Sequence, residues 1–310
     1  MSTYRFTINI QSAFGTPLVG DTLFGQICWE IVNVFGEGHL NNLLKNYDSE
    51  PFLVVSDAFP SHYLPLPTLP SFYWNSPPDT DRKVLKARKW INIEYLTTLT
   101  EEWQSLAKSE KEILQITAQE QMHNTIRRDT NSTGTDMFAP YSMSQIWYSP
   151  NTQLDIYCVV NEELINLQDI KLLFENIGKI GFGRDASIGL GRFSISNVEL
   201  FKIQFKQEHN AYLTLANISP RSDKLNPEKS LYQLTTRFGR HGNIYAMTDN
   251  PFKKPIILAK TGSVFYLTEF REQYYLGNSL RKISYSQDDA VHQGYAPVIP
   301  LEINYQKLGL

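Results

Sequence analysis

Six histidines are the chain's first candidates for proton transfer, yet His39, His62, His123, His209, His241 and His292 never stand closer than 23 positions, so none has metal-helix spacing. A single histidine acting as general acid or base stays open, and His39, in GEGHLNNLL, is the candidate for it. The acidic pairs Glu101–Glu102, Glu162–Glu163 and Asp288–Asp289 read as solvated positions or helix starts, not as a two-metal nuclease centre. Cys28 and Cys158 form no CxxC pair, which excludes a cysteine-rich zinc module and a disulfide framework and fits a reducing, cytoplasmic setting. No metal, no cofactor and no catalytic residue are expected.

Anion binding is the second chemistry on offer. GFGRDASIGLGRF places Gly181, Gly183, Gly189 and Gly191 within eleven residues, where missing Cβ atoms allow unusual dihedrals and exposed N–H groups could hold phosphates. Gly181 to Ala186 matches GxGxxA, but a dinucleotide fingerprint follows a strand and opens a helix, and here the order is reversed. No GxxxxGK[ST] sequence occurs. Isolated glycines would read as a tight helix-to-strand connection; interleaved Arg184, Ser187 and Arg192 favour a nucleic-acid backbone.

Two further polar tracts could touch RNA. HNTIRRDTNSTGTD carries His123, Asn124, Arg127 and Arg128 and has no periodicity. Between Arg221 and Lys260 stand eight Lys or Arg against three Asp or Glu, with Arg237, Arg240, His241, Lys253 and Lys254 among the candidates. Phe238, Tyr245, Phe252 and Tyr295 could stack bases, although aromatics at strand positions are more often core. The formal net charge of −3 gives no global signature of a nucleic-acid binder, so any RNA site must be local.

These residues need elements to hold them. The 310 residues, 42% hydrophobic and 20% charged, suffice for two domains. No export signal or membrane span is expected, because no apolar run approaches about 18 residues. Alternation at Tyr4, Phe6, Ile8 and Ile10 predicts a strand; Asp21 can cap a helix that Gly36 and Gly38 stop; Phe52 to Asp57 predicts a second strand. Prolines crowd the span after Pro60, which reads as an insertion (60–150) rather than core, with a helix over Glu101 to Gln121 and an aperiodic polar tract, a candidate loop or hairpin, after it. Leu154 to Val160, Leu167 to Ile177 and Arg192 to Phe201 then predict strand, helix, strand. The succession β-α-β, insertion, β-α-β is the ferredoxin-like arrangement, α+β, shared with the RNA-recognition motif. A strand-rich second domain is expected over 206–310, after a first over 1–205.

Gly181 to Phe193 resembles the glycine-rich loop of the RAMP superfamily, the RNA-binding proteins of CRISPR systems. TPLVGDTLFGQICW, PFLVVSDAFP, LPLPTLP, NPFKKPIILAKTGSVF and HQGYAPVIP resemble one branch of it, the fourth subunit of the type III-A (Csm) effector complex. The resemblance spans essentially the whole chain. It implies two ferredoxin-like domains and a non-catalytic subunit that holds the 5′ repeat-derived tag of the CRISPR RNA. It further implies docking to the large polymerase-like subunit, contact with neighbouring RAMP backbone subunits, and a thumb-like tract at 123–140 with target RNA near it. The alternative is a RAMP-family processing endoribonuclease using a histidine; a scaffold touching protein alone is a third reading.

Overall fold

The computed structural model describes residues 1–310 except 77–79, 136–137, 203–208, 222–224 and 248–249. The alternation at the start forms β1 (Ser2–Ile10), with Phe6 and Ile8 buried. Helix α1 (Gly20–Phe35) follows. Its N-cap differs from the expectation. Asp21 lies inside the first turn, Val19 is the cap residue without a side-chain bond, and the Gly20 N–H donates instead to the Asp57 carboxylate at 2.8 Å. Gly36 ends α1, but α2 (Glu37–Lys45) starts at once and carries through Gly38. Strand β2 (Leu53–Pro60) comes next.

The proline-rich span is inserted in the chain order as expected, but it supplies core residues, contrary to the expectation that it is not core. It holds β3 (Tyr63–Pro65), α3 (Arg82–Ala87), β4 (Arg88–Asn92), α4 (Trp103–Leu106), β5 (Lys108–Ser109) and α5 (Glu110–Ile113). Leu64, Tyr73, Trp74, Ile91, Leu96 and Trp103 from it share a core with the second half of the chain. The helix predicted over Glu101 to Gln121 is instead two single turns, α4 and α5, followed by strand β6 (Ile116–His123). Strand β6 pairs residue for residue with β7 (Tyr141–Tyr148), from Ile116 opposite Tyr148 to His123 opposite Tyr141, and this pairing displaces the helix.

The chain then returns through β8 (Gln153–Val160), α6 (Leu167–Ile180) and β9 (Phe193–Leu200). The first sheet is wholly antiparallel in the order β2-β8-β1-β9. Leu23, Phe24 and Ile27 of α1 and Ile170, Phe174 and Ile177 of α6 bury against its one face. That is the expected β-α-β, insertion, β-α-β succession.

The second half contains β10 (Ala211–Thr214), β11 (Leu234–Arg237), β12 (Ile256–Ala259), β13 (Val264–Tyr266), β14 (Tyr275–Gly277), β15 (Tyr295–Leu301) and α7 (Tyr305–Leu308). Its sheet is antiparallel in the order β13-β10-β15-β14, with β11–β12 as a separate ribbon. Among the described residues after β9 the only α-helix is the single turn α7, so this half lacks the helix-bearing succession of the first. The expected boundary between residues 205 and 206 lies outside the described residues. Gln293, fully buried, joins the halves: its side-chain amide donates to Val55 O and accepts from Val55 N–H, both at 2.8 Å. Among the described residues no helix is long and apolar enough to cross a membrane.

Candidate nucleic-acid interface

The loop after α6 is built by its glycines. Gly181, Gly183, Gly189 and Gly191 have φ of 114°, 76°, 98° and 74°, a region that side chains disfavour. The loop closes on itself where Phe182 N–H donates to Gly191 O at 2.9 Å, and a Cβ on Gly191 would stand 2.1 Å from Phe182 O. Around the loop the amides of Gly181, Phe182, Arg184, Ile188, Gly189, Leu190, Gly191 and Arg192 all find acceptors. Those of Asp185, Ala186 and Ser187 find none among the described residues. These three consecutive N–H groups, the last on the exposed Ser187, have no acceptor within the described protein and could donate to an anionic oxygen.

The two loop arginines differ in role. Arg192 is exposed and held through its backbone, its N–H donating to Ser12 Oγ at 2.8 Å and its C=O accepting from Gln11 N–H at 2.9 Å. Arg184 is a strut. Its guanidinium donates to Ser144 O in β7 and lies 3.4 Å from the Asp185 carboxylate, while its N–H donates to Thr16 Oγ1 at 3.0 Å. The segment Ser12 to Thr16 is sandwiched between loop and hairpin: Gly191 N–H donates to Ala13 O, and Phe14 exchanges both backbone bonds with Ile146 at 2.9 and 2.8 Å. A Cβ on Gly15 would stand 2.6 Å from Arg184 O. Nothing in the sequence reading marked this segment as a floor of the site; the glycine at 15 was the signal.

The β6–β7 hairpin extends from this junction with seven of the eight β6 residues exposed. His123 stacks on Tyr141 at 5.5 Å between ring centroids. Beyond it Asn124 and Arg128 are exposed, Arg127 N–H donates to Ser132 O, and the Arg127 guanidinium pairs with Asp129 and sits 5.8 Å over the Phe138 ring. The thumb-like tract thus belongs to an arm whose base touches the glycine loop.

The basic patch expected between Arg221 and Lys260 is not assembled as a patch. Arg237 turns inward, its Nε and Nη2 donating to the Asp21 carboxylate at 2.7 and 2.6 Å. His241 is buried with Nε2 2.8 Å from Ser284 Oγ, and burial holds its pKa below the ordinary imidazole value. Lys253 packs against Gly239, and burial lowers its pKa too. Tyr295 is core: its hydroxyl donates to the carbonyls of Tyr47 and Asp48, leaving no face for a base. Arg240 and Lys254 remain exposed, 5.8 and 5.7 Å over the rings of Phe252 and Tyr285. His39 stands exposed on α2 against the Phe35 ring.

No family profile matches the sequence. No curated protein matches it either. Solved structures do. A chain of the Csm3–Csm4 subcomplex in the type III-A CRISPR-Cas interference complex superposes with a TM-score of 0.57, at 15% identity, over 97% of this chain and 100% of that one. A chain of the Csm1–Csm4 cassette in complex with pppApA gives 0.58, at 15% identity, over 97% and 98%. The same cassette with AMPPNP gives 0.58 at 16% identity. The chain has a Csm4-like fold. At this identity the likeness is one of fold, and it covers 97% of the chain.

Proposed function

We propose that this chain is a non-catalytic RNA-binding subunit of a cytoplasmic type III-A CRISPR ribonucleoprotein, holding the 5′ repeat-derived tag of the CRISPR RNA and docking the large polymerase-like subunit. In this reading the first half is a ferredoxin-like domain, and the second a related domain reduced to its sheet. The observation that carries it is the run of unpartnered amides at Asp185, Ala186 and Ser187, beside exposed Arg192 and at the foot of an exposed arm. Such a site binds a phosphate backbone without reading sequence; the arm, with Arg128 and the His123–Tyr141 stack, supplies cation and ring for unpaired or paired bases. Neighbouring RAMP subunits and target RNA are its expected partners along the arm.

Fluorescence anisotropy with a labelled CRISPR repeat RNA tests the reading. Arg192→Ala weakens binding about fivefold and lowers the salt slope by about one unit, while the RNA is recovered uncut. Salt-independent retention, or a defined cleavage product lost in His39→Ala, overturns it.

A further inference from the structure

The ribbon of β11 and β12 carries large apolar residues on its outward face as well as its inward one. A strand pair on a protein surface turns apolar residues inward and polar ones outward. Here the inward positions hold Thr235 and Arg237, the latter bonded to Asp21, opposite Leu258, which is buried, and Ile256, with the buried His241 beyond the end of β11. The outward positions hold Leu234, Thr236 and Phe238 on one strand and Ile257 on the other, in a register that sets Thr236 opposite Ile257. The strip continues to Arg240 and Phe252, which are bridge partners. Leu234, Phe238, Ile257 and Phe252 are 68%, 78%, 67% and 59% exposed. Four large apolar side chains in a row along one face mark a surface that is covered in use.

We infer that this strip is a docking surface for another protein, one presenting an apolar ridge with carboxylates at both ends. RNA fits poorly. Leu234 and Ile257, two of the four large apolar residues of the strip, offer no ring on which a base could stack. A second copy fits poorly as well. Arg240 stands at one end of the strip and the exposed Lys260, whose N–H donates to Gln233 O, at the other. Two-fold pairing of the strip with itself would set cation on cation.

The inference rests on the chain's being a subunit of an assembly, and the test separates the two. A benzophenone side chain is placed at position 236 of the full chain, which is purified with its co-expressed complex and irradiated. The expected result is a ribonuclease-resistant adduct to another subunit, mapped by mass spectrometry to an apolar peptide bearing Asp or Glu. Ile257→Asp lowers its yield about tenfold with the melting temperature unchanged. A ribonuclease-sensitive adduct, an adduct to a second copy of the chain, or an assembly without adduct overturns the surface alone. A chain that recovers no polypeptide partner overturns the subunit reading together with it.

Discussion

Gly189 and Gly191 stand two residues apart and need their missing side chains for different reasons. A Cβ on Gly189 meets nothing within 4 Å, so Gly189→Ala carries only the backbone cost of a φ of 98°, about 1 kcal/mol. Gly191→Ala adds a collision with Phe182 O and is expected to cost several times as much, which urea unfolding of the two variants will rank. Asp21→Ala removes the carboxylate that accepts two bonds from Arg237; because the guanidinium is a third exposed, the expected loss is about 2 kcal/mol in the same measurement. That pair shows what the residue scale of a sequence conceals. Arg237 reads as a surface cation because its partner stands 216 positions earlier. Tyr295 reads as a stacking platform for the same reason, since Tyr47 and Asp48, whose carbonyls it bonds, are just as remote.

An arm that pairs only with itself along most of its length has little to hold it shut. Strands β6 and β7 share eight cross-strand pairs, while the body reaches the hairpin through Phe14 at Ile146 and Arg184 at Ser144. Hydrogen exchange followed by mass spectrometry is expected to show β6 amides exchanging at least a hundredfold faster than those of β1 and β8, which lie inside the first sheet. Arg184→Ala should speed the β7 amides around Ser144 further and leave β1 unchanged. Elements with strong contrast were readable from sequence: the alternation at Tyr4 to Ile10, the run at Phe52 to Asp57 and the amphipathic stretch from Leu167 each became the element expected, within a few residues. The region from Glu101 to Gln121 was not. Trp103, Leu106, Ile113 and Leu114 fall at helical spacing, yet Lys108 and Ser109 leave to pair with β4, and Ile116 to His123 is mostly polar and, save for His123, exposed along the whole strand. Nothing local distinguishes such a strand from a frayed helix.

The two halves meet along β2, and buried polar groups govern that meeting. Gln293→Ala leaves Val55 N–H and C=O buried without partners, and a loss of about 3 kcal/mol in chemical denaturation is expected. Two titrating groups lie at the same seam. Burial, opposed by bonds from Gly20 and Thr261 and reinforced by Asp21, pushes the Asp57 carboxyl up to about 6. Burial, opposed by Asp21 and reinforced by Lys253 and Arg237, pushes His292 down to about 4. Folding therefore favours the protonated Asp57, whose ionisation costs stability as pH rises from about 4 to 6, and the neutral His292, whose charging costs stability as pH falls from about 6.5 to 4. The slopes oppose each other. Asp57→Asn removes one, so its melting temperature should fall more steeply than that of the unmodified chain between pH 6 and 4; His292→Gln should reverse the trend. The seam has a geometric consequence as well. With the Gln293 amide standing where a neighbouring strand would bond, and Asp57 N–H donating to Leu215 O, the β2 margin of the first sheet is closed, whereas β9 pairs with β1 alone among the described residues. Growth of that sheet by added strands has a single direction, and a row of chains joined margin to margin would terminate here.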